Sequence, residues 1–188
     1  WRRHGGQGAH IVQQARAVSD MLVTLLQRVE RLAVWLAGLG ALIIVVQMLW
    51  ISYGVFMRYG LSSPDGTVTE ATALLLFPAA FLGLAYALKE DAYPKVTFLP
   101  DALSPRHRRW LEAVNLLLMI AVGGFFAIAA FDATINSFRS GSASEILSWP
   151  RYLFWAPGAL ALVVFSAQVV LKLAVLLTSS DTTTTQKN

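Results

Sequence analysis

The chain has 188 residues, 56% of them hydrophobic, with a mean hydropathy of +0.56. Once its apolar segments are set aside no soluble domain of catalytic size fits, and the lack of cysteine excludes disulfides, thiolate nucleophiles and cysteine metal sites. In so apolar a chain the net charge of +4 and pI near 9.7 mark one side of a bilayer and not nucleic acid as a partner.

Residues 1–31 form a tail ahead of the first long apolar run. Ile11, Ala15, Val18, Leu22, Leu25, Val29 and Leu32 recur at alternating spacings of four and three, which makes one apolar stripe on a helix. An amphipathic helix is therefore expected before the first span, lying in the membrane interface, packing on a partner through Leu22, Leu25 and Val29, or doing both.

Four runs then lack Asp, Glu, Lys and Arg: residues 32–57, 71–88, 113–131 and 152–171. At ~1.5 Å of rise per residue each can cross ~30 Å of hydrocarbon as a helix. The reading is an all-α integral membrane protein with spans at about 32–57, 70–88, 110–134 and 152–177, one transmembrane domain over 32–177, and a disordered polar tail over 178–188. The first run is too long, and starts too late, for a signal peptide.

The connections supply the orientation. The tail (Arg2, Arg3, Arg16, Arg28, Arg31), the middle loop (Lys89, Lys95, Arg106, Arg108, Arg109) and the end (Lys172, Lys187) hold 12 cations against Arg58, Arg139 and Arg151 opposite. Both termini and the middle loop are therefore expected in the cytoplasm. Between the first two spans, Ser63 to Gly66 is a turn cluster, with Thr67 or Thr69 expected to cap the second helix and Glu70 in its first turn. Ser104 and Pro105 form a start signal for the third helix. Trp149, Tyr152 and Trp155 suit a headgroup belt before the fourth.

Chemistry is thinly represented. His4, His10 and His107 all lie outside the spans, so no membrane haem and no clustered metal site is expected. Ser52 and Ser166 sit in the spans without a base, and their hydroxyls are expected on backbone carbonyls, so the chain reads as no enzyme. Asp132 lies toward the outer end of the third span, where an ion-paired cluster with Arg58 and Glu70 is geometrically open. Ala79, Gly83 and Ala87 on the second span, and Gly123 and Gly124 on the third, are small positions where another membrane helix can approach. Pro78 and Pro157 are expected to bend their helices.

With that architecture in place, the residues resemble the small membrane subunit, of DctQ type, of the tripartite ATP-independent periplasmic (TRAP) transporters. The resemblance rests on Arg58-Tyr59 closing the first span, Val68-Thr69-Glu70 opening the second and Phe81-Leu82-Gly83 within it. It continues with Lys95-Val96, Leu103-Ser104-Pro105, the basic run from Arg106 to Arg109, Trp149-Pro150 and Pro157-Gly158. The segment from Tyr93 to Thr97 departs from the family by lacking a His and an Asp.

The resemblance implies a multi-pass subunit of the bacterial inner membrane with no cofactor. It implies a non-catalytic scaffold for a large membrane subunit (M type) that imports an organic acid, usually with sodium, from a periplasmic substrate-binding protein (P type). The outer residues Arg58, Glu70, Trp149 and Arg151 are then candidate contacts for that binding protein, and membrane lipid covers the rest. A small subunit of a tricarboxylate-type carrier, a stand-alone channel and a redox anchor share the topology.

Overall fold

The computed structural model describes residues 5–63, 65–90, 92 and 104–185. Among them every regular element is helical, and four helices are long and apolar enough to cross a membrane. Helix α1 spans Gly5–Gly60, α2 Gly66–Leu82, α3 Leu84–Lys89, α4 Pro105–Ser140 and α5 Tyr152–Thr185. The second crossing consists of α2 and α3, separated by a single step at Gly83.

The stripe expected to form its own interfacial helix is continuous with the first span. No proline occurs before Pro64, so nothing stops the helix until the turn after Gly60. Its 56 residues extend ~84 Å at ~1.5 Å each, more than twice the hydrocarbon thickness. The polar tail likewise continues α5 as helix to Thr185, because neither Gly nor Pro follows Leu177. The middle-loop residues Tyr93 to Leu103, Lys95 among them, lie outside the described residues.

Capping differs from expectation at one helix and agrees at another. Asp65, not Thr67 or Thr69, caps α2: its side chain accepts the Thr67 N–H at 2.9 Å. These side-chain and backbone hydrogen bonds with Thr67 hold the Asp65 carboxyl below the usual carboxylate range. Ser104 and Pro105 open α4 as expected, although the Ser104 hydroxyl meets His107 Nδ1 at 2.8 Å and leaves the backbone N–H groups alone. Pro78 and Pro157 are carried inside their helices.

Helix α5 holds the assembly together. It touches α1, α2, α3 and α4, whereas α4 packs mainly on α5. One apolar cluster joins Ala33, Ala85, Leu116, Phe165 and Val169. A second joins Ala127, Ala130, Ala159 and Leu162. The fourth crossing is accordingly the most covered and the first the least, 33% against 11% of their apolar windows. Apolar surface from Trp35, Leu42, Met48 and Leu49 of α1 faces outward, as membrane helices require where lipid or a neighbour replaces water.

Glycines set how closely the helices approach. A β-carbon on Gly40 would stand 2.9 Å from Leu82 Cβ, one on Gly54 2.7 Å from Val68 Cγ1, and one on Gly123 2.7 Å from the Phe165 ring. On Gly158 it would run into the Phe77 ring. These are the close contacts between neighbouring crossings.

Candidate functional site

The end of the molecule expected on the outer side is organised around one carboxylate. Helix α4 stops at Gly141, whose φ of 60° supplies the left-handed cap. The chain then doubles back. The Ser144 N–H bonds the Trp149 carbonyl at 2.9 Å and the Arg151 N–H bonds the Ser142 carbonyl at 3.0 Å, a two-rung ladder with a bridge between Ala143 and Pro150. The Trp149 N–H adds a bond to Ser144 Oγ at 3.1 Å.

At the tip of this loop three successive N–H groups converge on Glu70 in the second turn of α2. Glu145 N–H reaches Oε1 at 2.6 Å, Ile146 N–H lies 3.1 and 3.0 Å from the two oxygens, and Leu147 N–H reaches Oε2 at 2.7 Å. Consecutive N–H groups curved around an anion form a nest, here filled by the protein's own side chain. Ile146 Cδ1 also lies 3.4 Å from the β-carbon position of Gly66. The second crossing is thereby tied to the connection between the third and fourth.

The opposite end has its own tie. Lys172 Nζ donates to the Leu88 carbonyl at 2.7 Å, placing a cation at the carbonyl end of α3 where the helix dipole favours it. Midway, Gln47 Nε2 donates to the Thr72 carbonyl at 3.1 Å and joins α1 to α2. The second crossing is thus fastened at both ends and on one flank. None of these three bonds could be assigned from spacing, since each joins residues 25 to 84 positions apart.

The ion-paired cluster of Arg58, Glu70 and Asp132 that geometry left open does not form. Glu70 spends both oxygens on the loop, and Arg58 and Asp132 stay exposed with no side-chain partner among the described residues. Trp149 is 41% exposed and stacks on Phe154 at 6.0 Å. The Arg151 backbone belongs to the ladder and its side chain lines an open cavity.

The small positions divide. Gly123 is occupied internally by Phe165, whereas Gly83 and Gly124 have nothing within 4 Å of a β-carbon position. Ala79 and Ala87 are half-buried. On the tail stripe Val29 packs on the internal core, Leu22 is half-buried and Leu25 is 37% exposed. Of the small positions and the tail stripe, Gly83, Gly124 and Leu25 are therefore open to a neighbour.

Polar groups inside the bundle are few. Ser52 Oγ bonds the Met48 carbonyl at 2.8 Å, as expected of a hydroxyl in a span. Ser166 does not: its hydroxyl is buried without a partner among the described residues. Gln168 is fully buried and neither amide atom meets a donor or acceptor there. An unpaired amide at depth destabilises, so Gln168→Met, which keeps length and removes the polar atoms, should stabilise the chain by ~1–3 kcal/mol. At ~2–4 °C per kcal/mol, thermal unfolding in detergent should show a midpoint several degrees higher; a lower midpoint would reveal a bond made by the amide.

Among the described residues no group of three His, Cys, Asp or Glu can hold a metal. Among the described residues no Asp, Glu, Lys or Arg is buried within the bundle. A family model described as "Tripartite ATP-independent periplasmic transporters, DctQ component" matches residues 48–179, well over half of the chain. No curated protein and no solved structure matches it.

Proposed function

We infer the function from the premise that this chain belongs to the DctQ family, the small membrane component of TRAP transporters. On that footing it is a non-catalytic scaffold that binds and orients the large membrane subunit. The large subunit imports an organic acid handed over by a periplasmic binding protein, with sodium as the coupling ion. An even number of crossings, four, supports placing both termini on one side, and the excess of cations on that side supports the cytoplasm.

The observation that carries this reading is the absence of any buried charge among the described residues, in a bundle whose second crossing is fastened at both ends. A carrier of organic anions exposes cations or broken-helix termini at mid-membrane. Here the ionisable groups near the crossings gather at their ends, and the apolar faces of α1 and α4 are left for a neighbour. The tail stripe, continuous with α1, adds a cytoplasmic or interfacial contact through Leu25. The outer turn bearing Arg58 faces the periplasm, where the binding protein arrives.

Reconstitution tests the assignment. The full chain alone in liposomes should pass neither organic acid nor current, and it should co-purify from native membranes with a large polytopic partner. Uptake should appear only when that partner and the binding protein are added with a sodium gradient. Solute or current carried by this chain alone would overturn the scaffold assignment, and uptake indifferent to sodium would overturn the coupling ion.

A further inference from the structure

An open cavity of about 630 Å³ lies between the outer ends of α4 and α5. Its lining includes Asn136, Arg139, Ser140, Ser142, Arg151 and Trp155. Two guanidinium-bearing residues therefore share one space, and neither has an acidic partner among the described residues. Asp132 and Glu145, the acids nearest in sequence, are not in the lining. The site is a doubly cationic pocket with amide and hydroxyl donors around it.

Its depth can be read from the helices. Between Glu112 and Asp132, α4 carries 19 residues without charge, ~28 Å of helix at ~1.5 Å each, which matches the hydrocarbon core. Asp132 thus stands at the hydrocarbon edge, Asn136 ~6 Å beyond it and Arg139 ~10 Å beyond it along the helix. Arg151 directly precedes the charge-free run that opens with Tyr152. Headgroups occupy roughly 5–8 Å on each side of the core, and an arginine stem can lean several ångströms toward the phosphate plane. Both guanidinium groups fall within reach of that plane.

The neighbouring surface is apolar. Phe138, 68% exposed, meets the Tyr152 ring edge-on at 5.3 Å, and Leu153 is 54% exposed. A phosphodiester with acyl chains satisfies cations and apolar flank together, whereas an acidic protein surface satisfies only the cations. We propose that this cavity binds the phosphate of an anionic phospholipid, with Arg139 and Arg151 as its paired ligands and Asn136 and Ser140 as further donors. Guanidinium forks match phosphate oxygens in pairs. A lipid held there would cement the α4–α5 junction at its outer end.

The experiment uses the full chain, purified with whatever subunit travels with it, in phosphatidylcholine nanodiscs doped with phosphatidylglycerol. Native mass spectrometry after gentle release should find phosphatidylglycerol retained. Arg139→Gln combined with Arg151→Gln should cut retention by about fivefold or more. The paired Lys variants should keep much of it, and millimolar inorganic phosphate should leave it unchanged. If the double variant fails to fold, each single Gln variant at these exposed positions should lower retention in part.

Equal retention by wild type and the Gln variants would overturn the proposal. So would displacement by inorganic phosphate, which would make the pocket a site for a free anion. Loss of an acidic periplasmic protein's binding with lipid retention unchanged would instead assign the arginines to a protein partner.

Discussion

Replacing Glu70 with alanine is expected to release the loop between α4 and α5, and the release should be visible residue by residue. Amide exchange at Glu145, Ile146 and Leu147 should quicken by roughly tenfold or more, while amides in the apolar middle of α2 keep their protection. The reason is geometric. One carboxylate receives three adjacent N–H groups at 2.6 to 3.1 Å, and charge-assisted bonds of this kind are stronger than neutral ones. Nothing else among the described residues takes up those donors. The two-rung ladder below them remains, so the loop should loosen at its tip and not unfold from its base.

Glu70→Gln separates charge from shape. The amide keeps one acceptor oxygen but turns an NH2 toward backbone donors, so its exchange rates should lie nearer those of the alanine variant than of the wild type. Unaltered exchange in both variants would show that the loop holds itself and that Glu70 merely rests against it. If the outer surface meets the binding protein, the same variants should weaken uptake while leaving co-purification with the large subunit intact. The readout thus distinguishes a loosened loop from a lost bundle.

What the sequence made legible follows from the solvent. Lipid offers no hydrogen bonds, so a charge-free run of 18 or more residues has helix as its natural answer, and the four runs all appear as long apolar helices. Terminal signals were less decisive. Thr67, Thr69 and Asp65 are all acceptable caps by type, and only the backbone at Asp65, with φ of −105° and ψ of 113°, selects one of them. The stripe from Ile11 to Leu32 had the period of an amphipathic helix, yet periodicity contains no stop, so its junction with the first span could not be placed.

The ties between helices were hidden for a different reason. Lys172 is legible as a cation closing the fourth apolar run, but its bond to the Leu88 carbonyl joins partners 84 positions apart. Glu70 is legible as a charge at the start of a span, but its partners are backbone N–H groups, which have no letter in a sequence. Small residues behaved likewise. Gly83 and Gly124 share their composition with Gly54 and Gly158, but the first two face open space and the others face side chains.

That contrast yields the second large effect, because one chemical change should be costly at one glycine and harmless at another. At Gly158 a new methyl meets the Phe77 ring, and the ring cannot swing aside: it sits 4.8 Å from the Phe81 ring and 4.5 Å from the Trp155 ring. Gly158→Ala should therefore push α5 away from α2 and cost ~1–3 kcal/mol, lowering the thermal midpoint by ~2–4 °C for each. Gly124→Ala adds the same methyl where nothing lies within 4 Å. It should leave the midpoint unchanged or raise it slightly, since alanine is the better helix former. The larger Gly124→Leu then isolates the interface. With the bundle intact and co-purification of the large subunit lost, this face of α4 is where the partner docks; with both intact, the partner sits elsewhere, and the exposed face of α1 around Trp35 and Leu42 becomes the surface to mutate.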